Sequence, residues 1–368
     1  MSGNNSPHVA IVLPFLNEQT LLGITCQSLG FGTGVTSTPE NTTLVLIDNA
    51  SIDDSLRVAE EVRQMSLKGS VIIGKEAEHG YVPARDRGVL LANAKLSALR
   101  CESMILLQAD ADTIYQPDYV SAMRSAAAKV GPDTLLEART SYPKEFAKQH
   151  PAYIRLCTEV DQTVEKWFVP FESDVIVDDK VAGFFLTDYF AWGRHQREYS
   201  LAGDEIYAET SRLYLRAKEH GALRHRVDSA IAEPSMRRLL DEPSLHFATG
   251  GFPREATWKH SWRKGYTGPT SLEEFCRETS HPEVQRAIRM RQLHLLALFS
   301  VLPFHVNRSR KKDLGVAHYD SVTAFLQLVP ERDTGELESP GILFTDVFEL
   351  IESHGESLLA ELNIEEMR

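Results

Sequence analysis

Apolar and polar positions in the first 140 residues follow two alternating periods. His8 to Pro14 (HVAIVLP), Leu44 to Ile47 (LVLI), Ser70 to Ile73 (SVII) and Met104 to Leu107 (MILL) are short, nearly continuous apolar runs. Runs of this length, rich in Val, Ile and Leu and bounded by polar or proline positions, predict buried strands. Thr134 to Glu137 predicts a fifth. Between them lie segments with helical spacing: 17–28, a segment opened by Ser51-Ile52-Asp53-Asp54, then 82–100 and 117–129. Acidic Asp53 and Asp54 suit a first turn, where the helix dipole favours negative charge. Pro83 stands near the start of its helix, where proline is tolerated. Phe31 to Thr43, rich in Gly, Thr, Ser and Pro, predicts a loop.

Strands alternating with helices imply a parallel sheet covered on both faces. Ligands of such sheets bind beyond the carboxyl ends of the strands. The positions to read are therefore Asn17-Glu18, Asp48-Asn49, Glu76 to Gly80 and Asp110 to Thr113. Beyond about residue 140 the pattern loosens. Helical segments at 151–168 and 205–221 surround an apolar, aromatic stretch, Val181 to Trp192, and the chain from about Gly265 onward reads as helical. The expected division is a domain over 1–260, with a nucleotide-binding half at 8–130 and an acceptor half at 131–260. A helical appendage with an acidic tail follows over 261–368.

Composition adds exclusions. The net charge is −13, and Glu331 to Arg368 alone carries −9, leaving −4 for the remainder. A general nucleic-acid binder needs a basic surface, so nucleic acid is not an expected partner. Four cysteines (Cys26, Cys101, Cys157, Cys276) lie far apart with no C-x-x-C pair. That suits reduced thiols and a cytoplasmic protein. The N-terminal residues 1–7 are polar, without a signal-peptide core, and no apolar run is long enough to span a bilayer.

Chemistry concentrates at Asp110-Ala111-Asp112, just past the run Met104 to Leu107. Two carboxylates at i and i+2 beyond a strand end can converge on one hard divalent cation, Mg²⁺ or Mn²⁺, completed by waters and phosphates. The plainer reading is a capped turn. Asp48 and Asn49 can hydrogen-bond a base or ribose at the sheet edge, or cap the next helix. Arg85 stands in a helical first turn, where it can reach a phosphate or join a surface salt bridge.

These blocks resemble a known family. VAIVLPFLNE, LVLIDNASIDDS, HGYVPARDRG and ILLQADADT occur in the order and spacing of the nucleotide-binding half of the inverting family 2 glycosyltransferases, which have the GT-A fold. The match covers about residues 8 to 130. A looser one covers 181 to 240, where Gly203-Asp204-Glu205, Arg212 and Gly221 resemble the family's acidic base motif, and Arg237-Arg238 a basic pair that follows it. The order here is Asp-Glu rather than Glu-Asp, and Asp86 replaces a usual asparagine.

The resemblance implies a metal-dependent transfer of a sugar from a nucleotide-diphosphate sugar to an unidentified acceptor hydroxyl, with Mn²⁺ or Mg²⁺ as cofactor. Asp110 and Asp112 would hold the metal and donor diphosphate. Asp48, Asn49, Pro14 and Asn17 would line the nucleoside pocket, with Arg85 near the base or phosphates. Asp204 or Glu205 would be the general base, although helix capping is an equal reading of that pair. Arg237 and Arg238 can clamp the leaving diphosphate or form a solvated pair facing Asp241 and Glu242. His246 is a candidate third metal ligand or a structural histidine.

Further points stay open. Arg286 to Lys312 carries seven basic residues and no acidic one around the apolar core Leu293 to Val306. A peripheral membrane segment is one reading, and a packed helix with a solvated basic turn the favoured one. Tyr189, Phe190, Trp192 and Trp258 can stack on sugars or fill the core. Asp110-Ala111-Asp112-Thr113 also fits a D-x-D-x-T phosphatase motif with Lys144 or Lys180 and Asp178-Asp179 as partners. A degenerate binder of nucleotide or glycan is the non-enzymatic alternative. A nucleotidyltransferase would show a glycine-rich basic loop where this chain has Phe15-Leu16-Asn17-Glu18.

Overall fold

The computed structural model describes residues 7–96, 104–310, 325, 327–332 and 339–362. It contains two compact units, each assembled from separate stretches of chain. The first comprises Met1–Pro143, Val177–Arg197 and Glu209–Ser235; the second comprises Lys144–Ile176, Glu198–Ala208 and Met236–Arg368. These units follow packing, whereas the expected boundary at 260 concerns functional domains and stands as a proposal.

The first unit is a mixed sheet between helices. Its strands are β1 (His8–Phe15), β2 (Thr42–Asp48), β3 (Val71–Lys75), β4 (Met104–Gln108), β5 (Thr113–Tyr115), β6 (Thr134–Thr140), β7 (Ala182–Phe185) and β8 (Leu223–Pro234). They lie in the order β3-β2-β1-β4-β7-β6-β8-β5. The first four are parallel to one another. β7 reverses direction against β4 and β6, and β5 runs antiparallel to β8. This is the expected GT-A architecture, with more antiparallel pairing in its second half than alternation alone suggests.

The apolar runs lack polar alternation because both faces of the sheet are buried. Val9, Ile11, Leu13, Leu44, Leu46, Ile105 and Leu107 pack on one side. They meet α1 (Leu22–Ser28), α2 (Ser55–Met65) and α4 (Tyr119–Val130) through Leu22, Cys26, Val62 and Met123. Ala10, Val12, Val45, Ile47, Met104 and Leu106 pack on the other. There they meet α3 (Tyr81–Leu96), α7 (Leu186–Ala191) and α8 (Glu209–Glu219). α3 lies close to the sheet: a β-carbon at Gly88 would stand 2.4 Å from Val12 Cγ1.

Several element limits shift from the sequence reading. The helix expected at 82–100 is α3, and residues 97–103 lie outside the described residues, Cys101 among them. α2 starts at Ser55, so Asp53 and Asp54 precede it, and Asp53 Oδ1 accepts from the Ser55 backbone N–H at 3.0 Å. The helix expected at 205–221 starts at Glu209, which puts Asp204 and Glu205 in the preceding loop. Helix capping by that pair is thereby corrected.

The second unit is helical. It contains α5 (Lys144–Gln149), α6 (Pro151–Val164), α9 (Arg237–Asp241), α10 (Pro243–Ala248), α11 (Ala256–Gly265), α12 (Leu272–Arg277) and α13 (Pro282–Leu296). A π-helical turn over Ala297–Val301, α14 (Leu302–Arg310) and α15 (Gly341–Glu361) complete it. Tyr153, Leu156, Val160, Phe247, Phe275, Val284 and Ile288 form its core. The apolar run Leu293 to Val306 is mostly buried within this unit, so it presents no apolar face to a membrane. Lys311 and Lys312 lie outside the described residues. Among those described, no helix is long and apolar enough to cross a membrane.

Candidate functional site

β1 to β4 run parallel, so their carboxyl ends share one edge, and the loops leaving them carry the expected donor residues. Pro14 pairs with Ile47 of β2 but lies beyond the β4 ladder, which ends at Val12. Its missing N–H costs nothing there. Asn17 has φ 55, a left-handed conformation that asparagine tolerates. Its Oδ1 accepts from Ile52 N at 2.9 Å.

Asp48 and Asn49 are buried. Asn49 Nδ2 donates to Glu76 O and Glu78 O at 3.2 and 2.7 Å, and its Oδ1 accepts from Gly80 N at 3.0 Å. Asn49 thus ties the loop after β3 to the end of β2. Its side-chain amide is committed to backbone, a stronger local role than the expected contact to a base. Asp48 Oδ1 accepts from Ser51 N at 2.9 Å, leaving Oδ2 without a partner among the described residues.

Arg85 is buried on α3, which rules out the surface salt bridge. Its Nη2 donates to Asp110 Oδ1 at 2.7 Å and its Nε to Glu209 Oε1 at 2.8 Å. Burial opposes the guanidinium charge, but Asp110, Glu209 and Asp179 more than offset it and hold Arg85 above its ordinary pKa. Asp110 N donates to the Tyr115 hydroxyl, which donates to Lys180 O, both at 3.0 Å. Asp112 O accepts from Ser235 N at 2.9 Å. Both bonds fix the backbone of the acidic loop.

Asp179 completes the cluster. Burial first, and then Glu209 and Asp110, push its carboxyl up to about 8 against the pull of Arg85. Behind it lies a buried polar chain. Thr210 Oγ1 donates to Gln108 Oε1 at 2.8 Å, and Gln108 Nε2 meets His195 Nε2 at 2.6 Å. Burial, then Arg85, Arg216 and Arg212, hold His195 well below its ordinary pKa. It is therefore neutral and accepts from Gln108.

Sequence reading missed Glu209, Tyr115, Gln108 and His195. Asp178 and Asp179 entered it only as phosphatase partners; Lys180 there pairs with Asp178. Glu209 meets Arg85 across 124 positions of chain, and nothing in the helical stretch expected at 205–221 marked it. Tyr189 and Trp192 are buried in the core, while Phe190 is 39% exposed. Asp86 accepts from Tyr189 Oη at 2.8 Å and Arg194 Nε at 3.0 Å, a structural pairing.

The remaining expected residues lie in the second unit. Asp204 Oδ1 accepts from Thr257 Oγ1 at 2.8 Å, and Glu205 forms an antiparallel bridge with Tyr199. Arg237 and Arg238 open α9 and are exposed. Glu242 takes both arms of Arg263, at 2.6 and 2.8 Å. His246 lies half-buried on α10, its ring 3.3 Å from where a β-carbon on Gly251 would stand. Trp258 stacks on Trp262 and meets Arg254 at 4.6 Å, so it packs within the protein.

Among the described residues no three His, Cys, Asp or Glu side chains are grouped to hold a metal by themselves. Asp110 and Asp112 still fit Mg²⁺ or Mn²⁺, which take few protein carboxylates and fill their shell with water and phosphate. Asp110 is 29% exposed and commits one oxygen to Arg85, leaving Oδ2 for a cation. A groove of about 600 Å³ between α4 and β8 is lined by Ser121, Ser125, Lys129, His225 and Arg226, and by none of these residues.

Several solved structures are similar to this chain. Glucosyl-3-phosphoglycerate synthase from Mycobacterium tuberculosis, with Mn²⁺, UDP and glucosyl-3-phosphoglycerate, shares 13% identity over 63% of this chain and 73% of its own, with TM-score 0.38. S. aureus TarS 1–349 with UDP shares 12% over 95% and 92%, with TM-score 0.44. GalNAc-T7 with UDP, GalNAc and Mn²⁺ shares 11% over 98% and 59%, with TM-score 0.46. These likenesses are faint. No curated protein matches the chain. The model of glycosyl transferase family 2 matches residues 10–196, just over half of the sequence and the carboxyl ends of β1 to β4. The chain therefore belongs to glycosyl transferase family 2, and is a glycosyltransferase.

Proposed function

We propose that this glycosyltransferase moves a sugar from a nucleotide-diphosphate donor to an acceptor hydroxyl, with inversion and with a divalent cation. The observation that carries the reading is the Asp110–Arg85–Glu209 cluster beyond the parallel strands, in a chain of this family. Pro14, Asn17, Asp48 and Asn49 shape the nucleoside side of the site, Asn49 by fixing its loops. Asp110 and Asp112 are the residues for Mn²⁺ or Mg²⁺. The cation, when bound, neutralises charge on the departing diphosphate. Arg85 holds Asp110 in place from within the core. His246 is a proposed further ligand, and Arg237 and Arg238 a proposed clamp on the diphosphate.

Inverting transfer is a single displacement. The acceptor oxygen bonds to the anomeric carbon while that carbon's bond to the diphosphate oxygen breaks. The hydroxyl proton passes to a carboxylate, and we assign that carboxylate to Asp204 or Glu205. UDP, present in the similar structures, is the first nucleotide to test. A cytoplasmic setting belongs to the same proposal and rests on the separated cysteines. Cys26 fits it, since burial pushes the thiol up to about 12 and leaves it unreactive.

Asp204→Asn and Glu205→Gln test the base. One of them should lower turnover by roughly 10²- to 10⁴-fold while calorimetry finds donor binding intact. Full turnover in both would remove the pair from the mechanism and turn attention to Glu209.

A further inference from the structure

Hydrogen bonds within the second unit fold residues 198–206 into a short hairpin around the acidic pair. Ile206 N donates to Glu198 O at 2.9 Å, and Ser200 N donates to Asp204 O at 2.8 Å. Gly203 N closes the turn on Ser200 O at 2.9 Å. The first two bonds flank Tyr199 and Glu205, which makes these two the non-hydrogen-bonded pair of their antiparallel bridge. In such a pair both side chains leave the same face, with β-carbons about 4.5–5.5 Å apart. Glu198, Ser200, Asp204 and Ile206 take the other face, because successive side chains alternate.

Burial follows that division. Glu198 and Ile206 are buried, whereas Tyr199 is 54% exposed and Glu205 half-buried. The inner face is anchored twice. Glu198 Oε2 accepts from Gly341 N at 2.5 Å, in the first turn of α15, where the helix dipole favours a carboxylate. Asp204 Oδ1 accepts from Thr257 Oγ1 of α11 at 2.8 Å. The hairpin is thus held from within, and Glu205 is the member of the acidic pair that shares the open face with an aromatic ring. A sugar presents apolar C–H groups on one face of its ring and hydroxyls around the rim. An exposed tyrosine ring can take the C–H face while the carboxylate beside it takes a hydroxyl proton. We infer that Tyr199 is the platform for the acceptor, that the acceptor presents a sugar ring to it, and that Glu205 rather than Asp204 receives the reacting hydroxyl. This rests on the transferase reading.

Methyl glycosides of glucose, galactose, mannose and N-acetylglucosamine, in both anomers, are titrated into the full chain by saturation-transfer NMR, with and without UDP and Mn²⁺. UDP binding with Mn²⁺ is measured separately by calorimetry. Tyr199→Ala removes the ring, Tyr199→Phe keeps the ring and removes the hydroxyl, and Glu205→Ala removes the carboxylate. The inference expects saturable binding of at least one glycoside that weakens at least about tenfold in Tyr199→Ala and recovers in Tyr199→Phe. Binding also weakens in Glu205→Ala, and UDP binding stays as it was in all three variants. Four results overturn it: no saturable glycoside binding in the unmutated protein, equal binding in Tyr199→Ala, a loss in Tyr199→Phe as deep as in Tyr199→Ala, or equal binding in Glu205→Ala, which would return the hydroxyl to Asp204. Glycoside binding that depends on Tyr199 in a protein that binds no UDP would uphold the platform and count against the UDP donor, because the glycoside titration without nucleotide reads Tyr199 directly.

Discussion

Arg85 carries more of the site's electrostatics than any other side chain. It is 2% exposed and faces Asp110, Glu209 and Asp179 together. Removing it leaves the buried Glu209 carboxylate, with Asp110 and Asp179 beside it, without compensation, which costs about 3–5 kcal/mol. Arg85→Met should therefore lower stability by that amount in urea unfolding. A loss below about 1 kcal/mol would mean that the cluster is solvated rather than buried.

His294 makes a pH prediction at the same scale. Its Nε2 accepts from Arg254 Nη1 at 2.7 Å, so its Nδ1–H donates to Met290 O, 2.9 Å away. Burial, then Arg254, hold its pKa down at about 3. The folded state thus keeps the ring neutral, while the unfolded chain protonates it near 6.5. Stability from this group is full above pH 6.5 and is lost as pH falls from there toward 3. The slope is about 1.4 kcal/mol per pH unit. The unmutated protein should lose roughly 2 kcal/mol more than His294→Gln between pH 6.5 and 5. Parallel stability curves for the two proteins would contradict the assignment.

Elements differ in how plainly the sequence announced them. β1, β2 and β4 were legible because both faces are buried and their apolar residues run together; β3, at the sheet edge, kept a short apolar run of its own. β8 was not legible: only three of its twelve positions are buried, and a register shift breaks it between its pairings with Ala138 and Arg139. β5, three residues long, has no pattern to show. β7 lay inside the apolar stretch already marked at 181–192, but its direction depends on a partner, not on its own residues. Close approach makes the next prediction. An added methyl at Gly88 meets Val12 Cγ1 at 2.4 Å, and one at Gly355 of α15 meets Leu293 Cδ1 at 2.7 Å. Gly88→Ala and Gly355→Ala should each cost about 1–3 kcal/mol by overpacking. An unchanged melting temperature in either would mean that its helix stands further from its neighbour.

At the scale of the whole molecule, the two units divide the chemistry that the sequence places along one chain. Asp48, Arg85, Asp110 and Asp112 could be read from sequence because each follows a strand or opens a helix in the parallel half. Glu209 and Asp179 could not, since their meeting with Arg85 is a product of packing between distant segments. Asp204, Glu205, Arg237, Arg238 and His246 belong to the second unit, where helical spacing gave no hint that Thr257 would meet Asp204.

The central claim is a cation-dependent nucleotide site on Asp110 and Asp112. Calorimetric titration of UDP-, GDP-, dTDP- and CDP-sugars, with and without Mn²⁺, tests it on the unmutated protein and on Asp112→Asn. The account predicts that one nucleotide class binds, only with the cation, and at least about tenfold more weakly in Asp112→Asn. Binding of equal strength without metal, or unaltered by Asp112→Asn, would contradict it.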